Sequence, residues 1–317
     1  MTSGAQSSGV ESLTAQPGGA RPGGARPSAR RRIAGMPYFL LLPGLLWLAV
    51  FFVIPMVFLL SQSLQTGTLE TGYRLTFHVA TYTDSLSQFS RQFLRSFEYA
   101  FLATVLALLI GYPLAYAIAL KSGRWKPVLL VVVVAPFFTS FLLRTLAWQT
   151  ILNSDGLVMK FFRGTHLISV TSSLGWTNGS QLLSSPLAVV TGLTYNFLPF
   201  MTLPLFASLD RLDPRLLEAA GDLYATPLTA FRRVTLPMSM PGVVAGTLLT
   251  FIPAAGDYIN SQLLGNPKTA MIGQVIEGYF LRINDYPTAA ALSFALMFTI
   301  LVLVSVYVRK SGTEELV

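Results

Sequence analysis

No cysteine occurs in this 317-residue sequence, and histidine occurs only twice. The first absence removes disulfides, thiolate nucleophiles and Cys-ligated metals together. The two histidines, His78 and His166, both fall in polar stretches between apolar runs, so they read as solvated loop residues rather than as a metal pair. Charge is scarce too, at 11% of residues, against 52% hydrophobic residues and a mean hydropathy of +0.57. A soluble domain carries less apolar and more charged material than this, so the chain belongs in a lipid bilayer. Also missing is any Gly-x-x-x-x-Gly-Lys-Ser/Thr phosphate loop, so this polypeptide does not itself consume ATP. A membrane-embedded enzyme finds no support either: there is no thiol, no His pair inside a span and no cluster of carboxylates. The sequence calls for no cofactor and no metal.

What is present is apolar and long. Six hydrophobic windows, at 37–60, 97–120, 128–152, 187–209, 238–259 and 288–308, each have the length to cross a bilayer as a helix. A helix satisfies its own backbone polar groups, which an open strand in lipid does not. The fold class expected is therefore an all-α integral membrane protein of six transmembrane helices. Residues 1–35 are rich in Gly, Pro, Ser, Ala and Arg, with Gly-Gly-Ala-Arg-Pro written twice in tandem between Gly18 and Pro27. Such a segment has too little apolar surface to offset its ordering entropy, so a disordered basic tail is expected there. A cleaved signal peptide is discounted, because the apolar run after it is longer than a signal core and ends without an Ala-x-Ala site. The expected organisation is this tail, a membrane domain over 36–310, and a short C-terminal tail over 311–317.

Cations sort the connections. The N-terminal tail, the second and fourth connections and the C-terminal end together carry 14 Lys and Arg residues, among them Arg30, Lys121, Arg124, Lys126, Arg232 and Lys310. The remaining connections carry seven, from Arg74 to Arg282, while Arg144 lies within a span. The positive-inside bias therefore puts both termini in the cytoplasm and accounts for the net charge of +8 without nucleic acid. Short surface helices are expected in the outer loops at 61–96 and 153–186, where a soluble partner would dock.

One connection, at 210–237, is a charged and helix-capable island between two apolar windows. Asp213 before Pro214 reads as an N-cap followed by proline at the first helical position. Leu212, Leu216, Ala220 and Leu223 recur at helical spacing, with Arg215, Glu218 and Asp222 on the remaining faces. The same punctuation returns at Thr226-Pro227, predicting a second short helix through Phe231 and Arg232. Two short helices joined by a turn make a stiff cytoplasmic knob that a soluble partner can grip.

The run Leu212-Asp213-Pro214-Arg215-Leu216-Leu217-Glu218-Ala219-Ala220-Gly221-Asp222-Leu223, followed by Phe231-Arg232-Arg233-Val234-Thr235-Leu236-Pro237, resembles the EAA loop of ABC-importer permeases, and specifically of the spermidine/putrescine subfamily. Gly111-Tyr112-Pro113-Leu114-Ala115-Tyr116, Tyr195-Asn196-Phe197-Leu198-Pro199-Phe200-Met201 and Phe251-Ile252-Pro253-Ala254-Ala255-Gly256-Asp257-Tyr258 extend the likeness over most of the chain. The resemblance implies an inner-membrane permease of an ATP-driven bacterial importer, working with two ATP-binding-cassette subunits, a second permease of different sequence and an extracytoplasmic substrate-binding protein. It implies that Glu218, Ala219, Ala220, Asp222, Tyr224, Arg232, Leu236 and Pro237 form the surface that couples to the ATPases. Tyr224 departs from the family, which usually has glycine at that turn. Either the turn is built differently, or the tyrosine ring joins the partner contact.

Charges inside apolar spans are costly and need a partner or a water path. Arg144 and Asp257 are the two that stand out, either pairing with each other or lining a route for cargo. A polyamine wants carboxylates, carbonyls and aromatic faces along its way, which Asp257, Tyr258, Tyr195 and Asn196 offer and Arg144 does not. The alternative is an importer of another small solute, such as an organophosphonate, an opine, thiamine or an iron chelate. Gly242 and Gly246 form a Gly-x-x-x-Gly pair that suits close helix packing, within the bundle or against the second permease.

Overall fold

The computed structural model describes residues 36–311 except 166, 174, 179 and 180. The basic segment 1–35, His166 and residues 312–317 of the C-terminal tail lie outside the described residues. The chain divides into two units, Met1–Phe52 and Val53–Val317. In the first, helix α1 (Met36–Leu48) is followed at Ala49 by a π-helical turn, and Trp47 packs on Phe51 with ring centroids 4.1 Å apart.

The second unit opens with α2 (Ile54–Ser63) and a two-stranded antiparallel hairpin, β1 (Gln65–Thr68) and β2 (Gly72–Leu75). Helices follow as α3 (Ala80–Tyr116), α4 (Lys126–Val134), α5 (Phe141–Ile151), α6 (Leu157–Gly164), α7 (Leu167–Ser173), α8 (Pro186–Asp210), α9 (Pro214–Asp222), α10 (Pro227–Ala230), α11 (Leu236–Ala255), α12 (Ile259–Leu264), α13 (Ile272–Gly278) and α14 (Tyr286–Ser311). The all-helical class holds apart from the hairpin. Five stretches are long and apolar enough to cross a membrane: Leu41–Ser63, Ala80–Lys121, Pro186–Asp210, Pro227–Ala255 and Tyr286–Lys310.

The window at 128–152 differs from a straight span. Its two halves, Gly123–Phe138 and Phe141–Ile151, are bent by 94°, and six spans result only when the pair is counted as one. The cause is local. Pro136 removes a backbone donor inside a 3-10 turn at Ala135–Phe138, and the Thr139 hydroxyl donates to the Pro136 carbonyl at 2.7 Å. Thr139 is extended, and Ser140 restarts the helix by accepting from the Arg144 N–H at 3.1 Å.

The loop at 61–96 also departs from expectation. It contributes the hairpin, and α3 begins at Ala80, well before the apolar window. Phe89, where α3 is kinked, and Phe93 bury against Ile272, Leu292 and Leu296, and this tertiary face holds the polar first part of the helix. Short helices do form in the second outer loop, as α6 and α7.

At the centre, α3, α8 and α11 pack on one another through small residues: Ala100, Ala103, Ala107 and Gly111 on α3, and Gly242 and Gly246 on α11. A Cβ on Gly242 would meet the Pro204 carbonyl at 2.7 Å, and one on Gly246 would meet the Met201 carbonyl at 3.0 Å. The Gly-x-x-x-Gly pair thus serves packing against α8 of the same chain. Two buried hydroxyls in the spans turn back on their own helices, Thr104 to the Ala100 carbonyl at 2.7 Å and Thr194 to the Val190 carbonyl at 2.7 Å, which satisfies their donors.

Candidate coupling surface and translocation path

The segment at 210–237 begins as its sequence suggests. The Asp213 carboxylate accepts from the Arg215 N–H at 3.0 Å, Pro214 takes the first helical position, and α9 ends at Asp222. The turn that follows has a definite form. Ala225 N–H bonds the Ala220 carbonyl at 3.0 Å, Tyr224 N–H bonds Gly221 at 2.9 Å, and Tyr224 is left-handed at φ 58°. This is the hydrogen-bond pattern of a Schellman helix end, in which glycine usually holds the left-handed position. The turn is therefore built in the ordinary way, and Tyr224 carries the strain.

Past the turn, the Thr226 hydroxyl accepts from the Thr229 N–H at 3.3 Å and α10 starts at Pro227. The second short helix runs through Phe231 and Arg232, and it is continuous with the fifth span, from Pro227 through a π-helical turn at Phe231–Thr235 into α11. Phe231 makes this stretch rigid. Its ring lies edge-on to Tyr112 at 5.6 Å and to Tyr116 at 6.5 Å, and the Tyr112 hydroxyl shares a 2.7 Å hydrogen bond with Ser239. An ion pair between Lys126 and Asp210 ties the start of α4 to the end of α8 on the same side.

Of the apolar residues at helical spacing in and around α9, Leu212, just before the helix, is buried at 4% exposure. Leu216 and Leu228 are exposed, Leu223 is 81% exposed and Tyr224 is 95% exposed. Glu218, Ala219, Asp222, Arg232 and Pro237 lie on the surface as well, while Ala220 and Leu236 are half-buried. Within this polar segment Leu223 and Tyr224 thus stand side by side as its most exposed large hydrophobic side chains.

The residues singled out for the path come together in part. Arg144 and Asp257 make no ion pair in the described residues. The Arg144 guanidinium lies instead over the rings of Phe137, at 5.2 Å, and Phe141, at 5.6 Å, one on each side of the break in the third span. Its Nε and Nη1 are buried without a hydrogen-bond partner, and the ring faces supply the compensating negative potential. Phe137 and Phe141 rest in turn on Phe200 and Phe197 of α8, so Arg144 staples the bend against that helix.

Asp257 lies two residues beyond the end of the Pro227–Ala255 span and is buried. Its Oδ1 accepts from the Asn260 N–H at 2.8 Å, holding the turn that leads into α12. Burial pushes the carboxyl up to about 6, opposed by hydrogen bonds from Asn260 and Ser261. Tyr258 is exposed beside it, and Tyr195 is half-buried with its ring edge-on to Trp148 at 5.4 Å. Asn196 is enclosed and hydrogen-bonds Thr145 and Asn260. Neither of those partners stood out in the sequence, since a single Thr or Asn in an apolar window gives no sign of what it faces. His78 is exposed, and no group of three or more metal-binding side chains gathers among the described residues.

Comparison with known proteins bears on this arrangement directly. Residues 107–310 match the family described as binding-protein-dependent transport system inner membrane component. The chain is 35% identical to the spermidine/putrescine transport system permease protein PotB of Escherichia coli, over 84% of this chain and 94% of that one. It is 32% identical to the inner membrane ABC transporter permease protein YdcU of Escherichia coli, over 89% and 91%. Among solved structures, a bacterial ABC transporter involved in the import of the acidic polysaccharide alginate superposes with a TM-score of 0.61 at 21% identity, covering 87% of this chain and 94% of that one. That likeness extends to the fold alone. By family match and by identity to its relatives, this chain belongs to the inner-membrane permease components of binding-protein-dependent transport systems.

Proposed function

We propose that this chain is one permease subunit of an ATP-driven importer that carries a polyamine of the spermidine/putrescine type into the bacterial cell. The observation that carries the coupling half of this reading is the bare apolar knob of Leu216, Leu223, Tyr224 and Leu228 on the helical loop at 210–237. Similarity to the spermidine/putrescine permeases supports the cargo class. Two ATP-binding-cassette subunits bind from the cytoplasm, where both termini also lie, and one of them takes this knob. A second permease of different sequence completes the path, and an extracytoplasmic binding protein delivers the cargo. ATP is hydrolysed in the partners, and this chain is not itself an enzyme.

Glu218, Ala219, Ala220, Asp222, Tyr224, Arg232, Leu236 and Pro237 make up the coupling surface. When the ATPases close on ATP they displace the knob, and the displacement enters the membrane by two rigid routes. One is the unbroken backbone from Pro227 to Ala255, and the other is the wedge of Phe231 on Tyr112 and Tyr116 of α3. Such a push selects between outward- and inward-open arrangements according to which one the ATP-bound partners fit better. Along the path, Tyr195 and Tyr258 offer ring faces to ammonium groups, and Arg144, seated on its own phenyl rings, shapes the bend beside them. Asn196 and Asp257 act on the path from the interior.

Reconstitution with the receptor and both ATPases in vesicles tests the assignment. Labelled spermidine should accumulate only with ATP inside, and an organophosphonate, an opine, thiamine or an iron chelate should not compete. Preferential uptake of one of those solutes reassigns the cargo. Glu218→Arg should abolish uptake while ATP hydrolysis continues, and undiminished uptake removes the loop's role.

A further inference from the structure

Thr145 on α5, Asn196 on α8 and Asn260 on α12 meet inside the molecule at 0%, 1% and 0% exposure. The Asn196 amide nitrogen donates both of its protons, to Asn260 Oδ1 at 3.0 Å and to Thr145 Oγ1 at 3.2 Å. The Thr145 hydroxyl in turn donates to the Phe141 carbonyl at 3.1 Å. Two atoms of the cluster have no partner: Asn196 Oδ1, an acceptor, and Asn260 Nδ2, a donor. These two are complementary. They are the two ends of the one bond that would make the Asn196–Asn260 contact a reciprocal amide pair.

Burying an unmade donor and acceptor is costly, and a half-satisfied polar cluster is worse than an apolar one. The helices are nevertheless shaped around it. Gly192 of α8 has no side chain where a Cβ would meet Asn260 Oδ1 at 2.7 Å, so α12 lies directly on α8. Asp257 fixes the turn that delivers Asn260. Each member of the cluster also adjoins a residue assigned above to the path. Thr145 follows Arg144, Asn196 follows Tyr195, and Asn260 comes two residues after Tyr258. The Trp148 ring of α5 lies edge-on to Tyr195 of α8 at 5.4 Å, so the cluster and Tyr195 share the junction of these two helices.

We propose that Thr145, Asn196 and Asn260 are positioning residues for cargo passage, joining α5, α8 and α12 through an amide pair that is half closed here and closes reciprocally when α12 shifts on α8. The proposal rests on the path assignment made above. In the shifted arrangement the second bond, Asn260 Nδ2 to Asn196 Oδ1, satisfies both orphaned atoms, and Tyr258 moves with α12 relative to Tyr195 and Arg144. The cluster thereby links the outer end of the fifth span to the broken third span.

The test uses the complete importer with its receptor and ATPases in vesicles, with labelled spermidine as the probe. Thr145→Val removes the hydroxyl at nearly constant shape, and Thr145→Ser keeps it. The valine variant should raise the spermidine concentration for half-maximal uptake by about fivefold, the scale of one interhelical hydrogen bond, and serine should restore it. Asn196→Leu and Asn260→Leu each leave a buried amide alone and should melt early. The double variant leaves none, so it should regain thermal stability but not cargo handling. Unchanged half-saturation in Thr145→Val, or recovery of uptake together with stability in the double variant, overturns the proposal and leaves the cluster as packing only. If the wild-type importer accumulates no spermidine, the cargo assignment fails separately. Receptor-stimulated ATP turnover then scores the same variants, with loss of stimulation in valine but not serine expected.

Discussion

Replacing Tyr224 by glycine separates what the folded chain needs at that turn from what its partner needs. The residue sits at φ 58° with the hydrogen bonds of an ordinary Schellman end, and its side chain is 95% exposed. A side chain in the left-handed region costs about 1–2 kcal/mol, and an exposed ring contributes no burial in return. Glycine removes that strain, but its freer unfolded chain takes back about 0.5–1 kcal/mol. The isolated permease should therefore melt at the same temperature or slightly higher. The partner contact behaves oppositely. Loss of a central aromatic anchor costs about 2 kcal/mol or more, which at 1.4 kcal/mol per decade weakens binding roughly 30-fold. Tryptophan fluorescence during heating gives the first quantity, and titration of purified ATPase onto permease in nanodiscs gives the second. Tyr224→Ala, which keeps a Cβ in the left-handed position and discards the ring, should lose affinity without gaining stability, and Tyr224→Phe should behave as wild type. A Tyr224→Gly protein that melts earlier, or that holds the ATPase at full strength, refutes the reasoning.

The absence of native cysteine makes topology directly measurable: Leu223→Cys should react with an impermeant maleimide only in inside-out vesicles, and labelling of intact cells contradicts a cytoplasmic knob. Gly192→Ala should destabilise the bundle by about 1–3 kcal/mol, because the new methyl meets Leu264 Cδ1 at 2.4 Å and Asn260 Oδ1 at 2.7 Å; a thermal midpoint equal to wild type shows that α12 yields easily. The Asp257 carboxyl is raised from 3.8 to about 6, so its folded form favours the proton, and the stability this gives is present below pH 3.8 and lost as pH rises to 6. Asp257→Asn keeps an oxygen for the Asn260 N–H and should stabilise the protein at pH 7 by up to about 3 kcal/mol while changing little at pH 4; equal gains at both pH values mean that charge burial is not the cause.

Much of this molecule can be read from composition and spacing. Apolar runs of about 20 residues specify helices because lipid offers the backbone no hydrogen-bond partner. Asp213-Pro214 and Thr226-Pro227 both start helices where expected, since caps are local chemistry. The helical loop at 210–237 was visible as polar sequence that lipid would reject. The 94° break was not, because Pro136 within a run of valines and phenylalanines gives the same hydropathy whether the helix bends or continues. Nor did the sequence tell whether Tyr224 evades or accepts the left-handed turn, a choice set by hydrogen bonds to Ala220 and Gly221.

Only tertiary structure settled the partners of the polar residues in and beside the spans. By charge Arg144 and Asp257 could pair with each other or line a path, and each has its contact nearby: Arg144 on the rings of Phe137 and Phe141, Asp257 on the Asn260 backbone N–H. Thr145, Asn196 and Asn260 lie far apart in the chain and meet because Gly192 admits α12 to the surface of α8. Periodicity along a single helix says which residues avoid lipid or water. Which side chain from another helix meets them depends on how closely the helices approach and at what angle, and that is decided when the bundle packs.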